Sequence, residues 1–558
     1  VIRWILISLL TFSAAHAAAL EAGGRLVVVQ RSEARTFNPI VEIDEASRTV
    51  NWLLHGRLAR TNPATRRLEP SLAESWRRRG NGTEILVRLR EGLRFSDGAP
   101  LTVSDVLFSF AVFSAEKNAA SRREILLIDG KPVQVRKLDG NQIVITLPGP
   151  SALGERILES IPILPAHKFG NTEPRGVWGV STDPAGIVGA GPFRLKKNEP
   201  GQRLTLERNP HYWRRDAKQQ RLPYLDEIQF VYASSEDAMA ARLLAGEADV
   251  ATGMSGGTFE ALRTGAGSES LEARDLGPGL EYTFLFFNLN QGPGGTKRPA
   301  WLNDPRFRRA VALAADREAI ARLCYRGHAT PVWGHMTPAR GAWFDASLPR
   351  PAQSIGAARK LLAESGFQWD NDGRLFAPGG IPASLTIIAS ASNPVYGQIA
   401  ALLQEDLKRI GLKVTAVNLE FRSLIDRVTV RKDFDAAIMA MGPGEADPAA
   451  DMNVLLSGGR VHLWNLSGTA HSWETPIDEL LRRQLSTPDP KRRIAMVHEI
   501  QRRLFEQAPF TGLASPNMLA VHRRGLQGIV PLPGAHLVLS NADLLFWSKV
   551  LHVTRSPK

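Results

Sequence analysis

Side chains able to make or break bonds are scattered through this sequence rather than gathered. It has no phosphate loop, no HExxH pair and no Cys/His set at metal-ligand spacing. The glycine-rich stretch 253–257 lacks the lysine of a phosphate loop and reads as a flexible turn. Glu236 and Asp237 are adjacent carboxylates, but they open an expected helix, where the dipole explains them. His462 and His471 flank Trp464, and His335 sits in WGHMTP. Lone histidines are more often core or surface residues than ligands, so no metal site is expected. Cys324 is the only cysteine; it excludes an internal disulfide and a thiolate cluster, and in AIARLCYRG it reads as inert. What remains is non-covalent chemistry. Tyr282, Trp333, Trp464 and Trp473 could stack on a ligand, although core packing explains any one of them as well. No catalytic residue and no cofactor is expected.

The elements that would position binding groups follow from the pattern of apolar residues. RLVVV at 25–29 reads as a buried strand, and QRSEARTFNP leaves it as a loop at a strand's carboxyl end, where α/β sheets hold ligands. Residues 44–58 read as a helix. In 68–113, AESW closes a turn, EILVRL at 84–89 alternates as a half-buried strand, and SDG at 96–98 turns the chain. Thr102 with Asp105 then forms a capping box for a helix burying Val103, Val106, Leu107 and Phe110. VQVRKLDGNQIVITL at 133–147 reads as a hairpin turning at Asp139-Gly140-Asn141. YTFLFFNL at 282–289 is almost continuously apolar, as a strand with parallel neighbours requires. Residues 304–321, 353–365 and 396–410 read as helices, and 385–390, 413–417 and 434–441 as strands. This alternation makes a second α/β lobe. The helical stretch 480–507 breaks at Pro488-Asp489-Pro490, and an apolar tail returns to the first lobe.

A chain of 558 residues is too long for one core, and 43% hydrophobic with 22% charged residues is an ordinary globular composition. Arg3, the apolar run to Phe12 and the small-x-small Ala15-His16-Ala17 read as a secretory leader over residues 1–17. The net charge is +13, with arginine pairs spread along the chain instead of interleaved with aromatics on one element. That distribution argues against a nucleic-acid binder and for a solvated basic surface, with attraction to an anionic ligand or to an anionic membrane surface second.

Three stretches carry a resemblance. AESW–strand–REGLRFSDG–helix, then GAGPFRLKKNEPGQRLTLERNPHYW, then DPRFRRAVALAADREAI stand in the order seen in the family 5 extracellular solute-binding proteins, the dipeptide, oligopeptide and nickel binders of ABC importers. The resemblance implies an α/β, two-lobed periplasmic-binding fold with an extra α+β domain inserted in the first lobe. It places lobe I at 18–60, 180–280 and 512–558, the insert at 61–179 and lobe II at 281–511. It implies a monomer in the periplasm that captures a peptide or other small polar solute and passes it to permease and ATPase subunits. A ligand-presenting receptor or a peptide-holding chaperone on the same fold is the alternative, and a hydrolase comes third. Pocket positions implied by the family are Glu33, Ser390, Met441, Gly444 and Trp464; Tyr282, an aromatic near a strand end, and Glu445, beside Gly444, complete the candidate site. Gly444 stands where peptide-binding relatives have the aspartate that meets the ligand ammonium, and Met441 stands for their tryptophan. Ser390 stands where dipeptide binders have an arginine for the ligand carboxylate. Both charged clamps are therefore changed, which argues against a simple dipeptide; Glu445 is left to meet an ammonium.

Overall fold

The computed structural model describes residues 20–118, 120–128, 130–170, 172–290, 299–442, 445–534 and 537–548. The expected leader and Gly444 lie outside them. Strand Arg25–Gln30 buries Leu26, Val27, Val28 and Val29 because it has parallel neighbours on both sides, Glu227–Tyr232 and Val250–Thr252. Beyond Glu227–Tyr232 the sheet runs antiparallel through Arg203–Arg208 to Phe193–Glu199. On its other side, Val250–Thr252 meets the long strand Phe510–Arg523. The same long strand pairs near its start with Tyr282–Phe287, which leads through Ala436–Met441 and Ser384–Ser390 to Lys413–Leu419.

The chain thus has two α/β lobes joined by two antiparallel crossings. One is Phe510–Arg523, paired with Tyr282–Phe287 from Phe510 to Ala514 and with Leu271–Pro278 from Asn517 to Arg523. The other is the passage from Leu271–Pro278 into Tyr282–Phe287. An additional four-stranded antiparallel sheet, in the order Ala73–Arg79, Glu84–Leu89, Gln142–Thr146, Gln134–Lys137, interrupts the first lobe and carries helix Val103–Ser114.

Some expectations are corrected. Tyr282–Phe287 is buried at every position, but both neighbours are antiparallel. Its burial comes from covering both faces: Phe284 packs on Phe510 and Phe286 on Phe434, while Phe287 meets Phe307 of helix Pro305–Ala314. Ala73–Trp76 is no turn but the start of strand Ala73–Arg79; three arginines are tolerated there because it is the sheet's edge. The stretch at 253–257 is ordered: the Ser255 side chain accepts from Thr258 N and opens helix Gly256–Thr264. The helix expected over 304–321 breaks at Ala315–Asp316, where Asp316 caps a new segment. Cys324 is buried, and burial pushes its thiol pKa up to about 11.

The capping box forms as expected. Thr102 Oγ1 accepts from Ser104 N, and Asp105 Oδ2 accepts from Thr102 N. Asp105 also accepts from Ala166 N through Oδ1, tying the helix to the end of the inserted domain. Thr102→Ala should cost about 1 kcal/mol of stability in urea unfolding; an unchanged midpoint would show that Asp105 alone holds the helix start.

Candidate functional site

Helix Glu45–Leu54 begins at Asp44, whose carboxylate accepts from Ser47 N at 2.8 Å. Its last carbonyls face the 189–191 backbone. Gly191 N donates to Leu54 O at 2.9 Å. A Cβ on Gly189 or Gly191 would run into the Leu54 or Leu53 carbonyl oxygen, so glycine is required at both. Gly189 in turn exchanges hydrogen bonds with Ser96 of the SDG turn. Two of the sequence stretches that carried the resemblance therefore meet at the end of this helix, and together they fix the residues after it, His55-Gly56-Arg57.

Arg57 lines a cavity of about 990 Å³. One wall comes from the first lobe and the inserted domain, with Arg48, Trp52, Arg57 and Arg122. The opposite wall comes from the second lobe, with Ala339, Glu445, Ala450 and Arg483. Contacts span the two walls: Ala152 N donates to Leu485 O at 2.7 Å, and the Arg66 guanidinium donates to the Ala339 carbonyl.

The segment that carries Glu445 is anchored from below. Asp447, two residues on, accepts a bidentate pair from Arg493 at 2.5 and 2.7 Å, and Arg493 Nε donates to Gln484 at 2.7 Å. Asp447 also caps its own turn by accepting from Ala449 N. Glu445 itself is open to the cavity but enclosed by protein on most sides, and that burial raises its pKa, with Arg156 opposing. Deeper in the second lobe, Arg340 pairs with Asp451 at 2.9 Å. Burial outweighs that attraction and lifts the Asp451 carboxyl to about 6.

Of the residues expected at the site, Glu445 lines this cavity. Tyr282 and Met441 are brought together as direct cross-strand partners, but Tyr282 is buried, and burial raises its phenol pKa. Ser390 is buried with its hydroxyl 2.7 Å from that of Ser392. Glu33 faces away: its Oε2 accepts from Gly201 N at 3.0 Å, closing the hairpin between Phe193–Glu199 and Arg203–Arg208. Trp464 is only 1% exposed. Its ring packs against His462 and Phe510, and its Nε1 donates to Glu474 at 3.1 Å, so it is a core residue rather than a stacking platform. Trp333 donates to Pro351 O, and Trp473 stacks on His471. The arginines of the first wall were missed. A signal existed for Arg57: it is a lone charge inside the apolar run NWLLHGRLA. Among the described residues no group of three or more His, Cys, Asp or Glu is arranged to hold a metal ion, and no helix is long and apolar enough to cross a membrane.

Comparison with known proteins bears on what such a cavity does. The profile of the bacterial extracellular solute-binding proteins, family 5, middle part, matches residues 67–462. A probable ABC transporter-binding protein of Deinococcus radiodurans is 26% identical over 570 residues, covering 96% of this chain and 94% of its own. The oligopeptide-binding protein AppA of Bacillus subtilis is 25% identical, covering 91% and 89%. Among solved structures, the ABC transporter substrate-binding protein CtaP of Listeria monocytogenes superposes with a TM-score of 0.78 at 22% identity, over 95% of this chain and all of that one.

Proposed function

This chain belongs to the family 5 bacterial extracellular solute-binding proteins, and on that footing we propose that it is the substrate-binding subunit of an ABC importer, taking a peptide or similar polar solute into the cavity between its lobes. The observation that carries the proposal is the cavity itself, about 990 Å³ with walls from both lobes, at the upper end of the range for small-ligand sites. A solute touching both walls favours the arrangement in which they face each other, by its differential affinity for that arrangement. The binding free energy goes into lobe closure, and the closed form is what a membrane permease and its ATPase would receive. Glu445 is the residue assigned to a ligand ammonium. An exported, periplasmic and monomeric protein is part of the same proposal, as are the lobe limits 18–60, 180–280 and 512–558, the insert 61–179 and lobe II at 281–511. The limit at 512 falls inside the continuous strand Phe510–Arg523, which would bend there, not end.

Native mass spectrometry of protein purified from its own host should show a bound small molecule, lost on unfolding and refolding. Adding it back should shrink the radius of gyration in solution scattering. Ala450→Trp, which fills the cavity from the second-lobe wall, should abolish both effects. Retention of the molecule by that variant would refute the assignment of the cavity.

A further inference from the structure

Five arginines are buried among the described residues; Arg340 and Arg493 are paired with carboxylates, and the other three differ in how they are satisfied. Arg308 donates to the carbonyls of Leu302, Gln507 and Ala508. Arg317 donates to those of Ala312, Val332 and Gly512. Both are cross-braces whose charge is met by backbone dipoles. Arg57, 6% exposed, has one such bond, from Nη1 to His55 O at 3.2 Å, and lies 4.5 Å from the centre of the Trp52 ring. It makes no ion pair among the described residues. The two carboxylates that act on it are taken: Glu42 accepts from Arg122 at 2.5 Å and from Asn51 at 2.8 Å, and Glu159 accepts from Thr61 and Arg156. Burial, followed by repulsion from Arg122, pushes the Arg57 pKa down to about 10.

Unlike Arg308 and Arg317, Arg57 lines the large cavity. Arg122 lines it beside Arg57, and Arg48 and Arg483 line it without ion pairs among the described residues. A buried guanidinium with five donors and one acceptor is costly unless a partner arrives. The cavity is where that partner would come from. On the reading of this cavity as the cargo cleft, we propose that the cargo is an acidic solute, a short carboxylate-rich peptide, with a carboxylate seated against Arg57 and Arg122. Glu445 on the facing wall then meets the peptide's ammonium, so the cleft reads both the charge and the direction of its guest. The basic surface, net +13 for the chain, draws such a guest from solution.

The test uses the full-length mature protein and calorimetry with four probes: triglutamate, trialanine, trilysine and inorganic phosphate. Triglutamate should bind at least about tenfold more tightly than the other three, and raised salt should weaken it more than it weakens trialanine. Arg57→Gln should cost triglutamate about thirtyfold in affinity. Because Arg57 also packs on Trp52, Arg48→Gln serves as a second variant, with a smaller loss in the same direction. Trialanine, trilysine or phosphate binding as tightly as triglutamate would overturn the acidic-peptide assignment, as would a failure of triglutamate to bind at all. If such binding of a neutral or basic peptide vanishes in Ala450→Trp, the cleft survives and only the acidic preference falls. If Ala450→Trp leaves peptide binding intact, the cleft itself is wrong and the acidic preference falls with it.

Discussion

Arg493→Met should lower the unfolding free energy by about 3–5 kcal/mol in urea denaturation, a large share of the 5–15 kcal/mol typical of a folded protein. The reason is what it leaves behind. Asp447 is buried and holds Arg493 in a two-bond fork, so removing the guanidinium strands a carboxylate beneath the cavity. Gln484 loses its partner at the same time, and Trp343 loses the cation 4.8 Å from its ring centre. Asp447→Asn should cost somewhat less, and the double variant less than the sum of the two, since the residues act as one unit. The same change should weaken cargo binding where the protein is still folded, because the Asp447 fork holds the segment that presents Glu445. An additive double variant would show that the fork is not the unit described.

Arg340→Met is expected to be destabilising by a comparable amount, with a distinctive pH dependence. In the native protein burial holds the Asp451 carboxyl at about 6, above its value in an unfolded chain. A group raised in this way binds its proton more tightly when folded, so its contribution falls as pH rises from the unfolded value to about 6 and is level above that. Without Arg340 the carboxyl has no cation beside it and its pKa climbs further. The variant must then keep its proton at a pH where the unfolded chain gives it up. Its deficit relative to the native protein should therefore widen from about pH 6 to about pH 8. Thermal unfolding across that range measures it, and a constant deficit would mean that Asp451 does not feel Arg340.

What could be read from the residues alone was what is encoded locally. EILVRL forms its strand at Glu84–Leu89, the 139–141 turn closes its hairpin and Thr102 caps its helix, because each is decided by neighbours within a few positions. Ala73–Arg79 was misread because an edge strand tolerates charges that look like a loop. The alternation of strands and helices gave a second lobe, but the way the lobes are joined was accessible only through the family resemblance, since the pairing of Phe510–Arg523 with Tyr282–Phe287 joins residues more than two hundred apart. At the site, Glu445 was legible as the carboxylate beside a changed aspartate position. Trp464 was not separable from a stacking platform: its indole finds Glu474 ten residues on, and nothing in HLWNLSG announces that bond. Arg57 was visible as a charge in an apolar run, but the lack of a carboxylate for it emerges only when Glu42 is seen already occupied by Arg122 and Asn51.

The strand Phe510–Arg523 sits between Val250–Thr252 and Tyr282–Phe287, in the middle of the joined sheet, although it is synthesised long after both of them. Each lobe leaves the ribosome with an open edge where that strand belongs, so neither sheet can be completed until residues 510–523 are available. A polypeptide built in this order keeps both of its sheets unfinished until that one strand arrives to close them together.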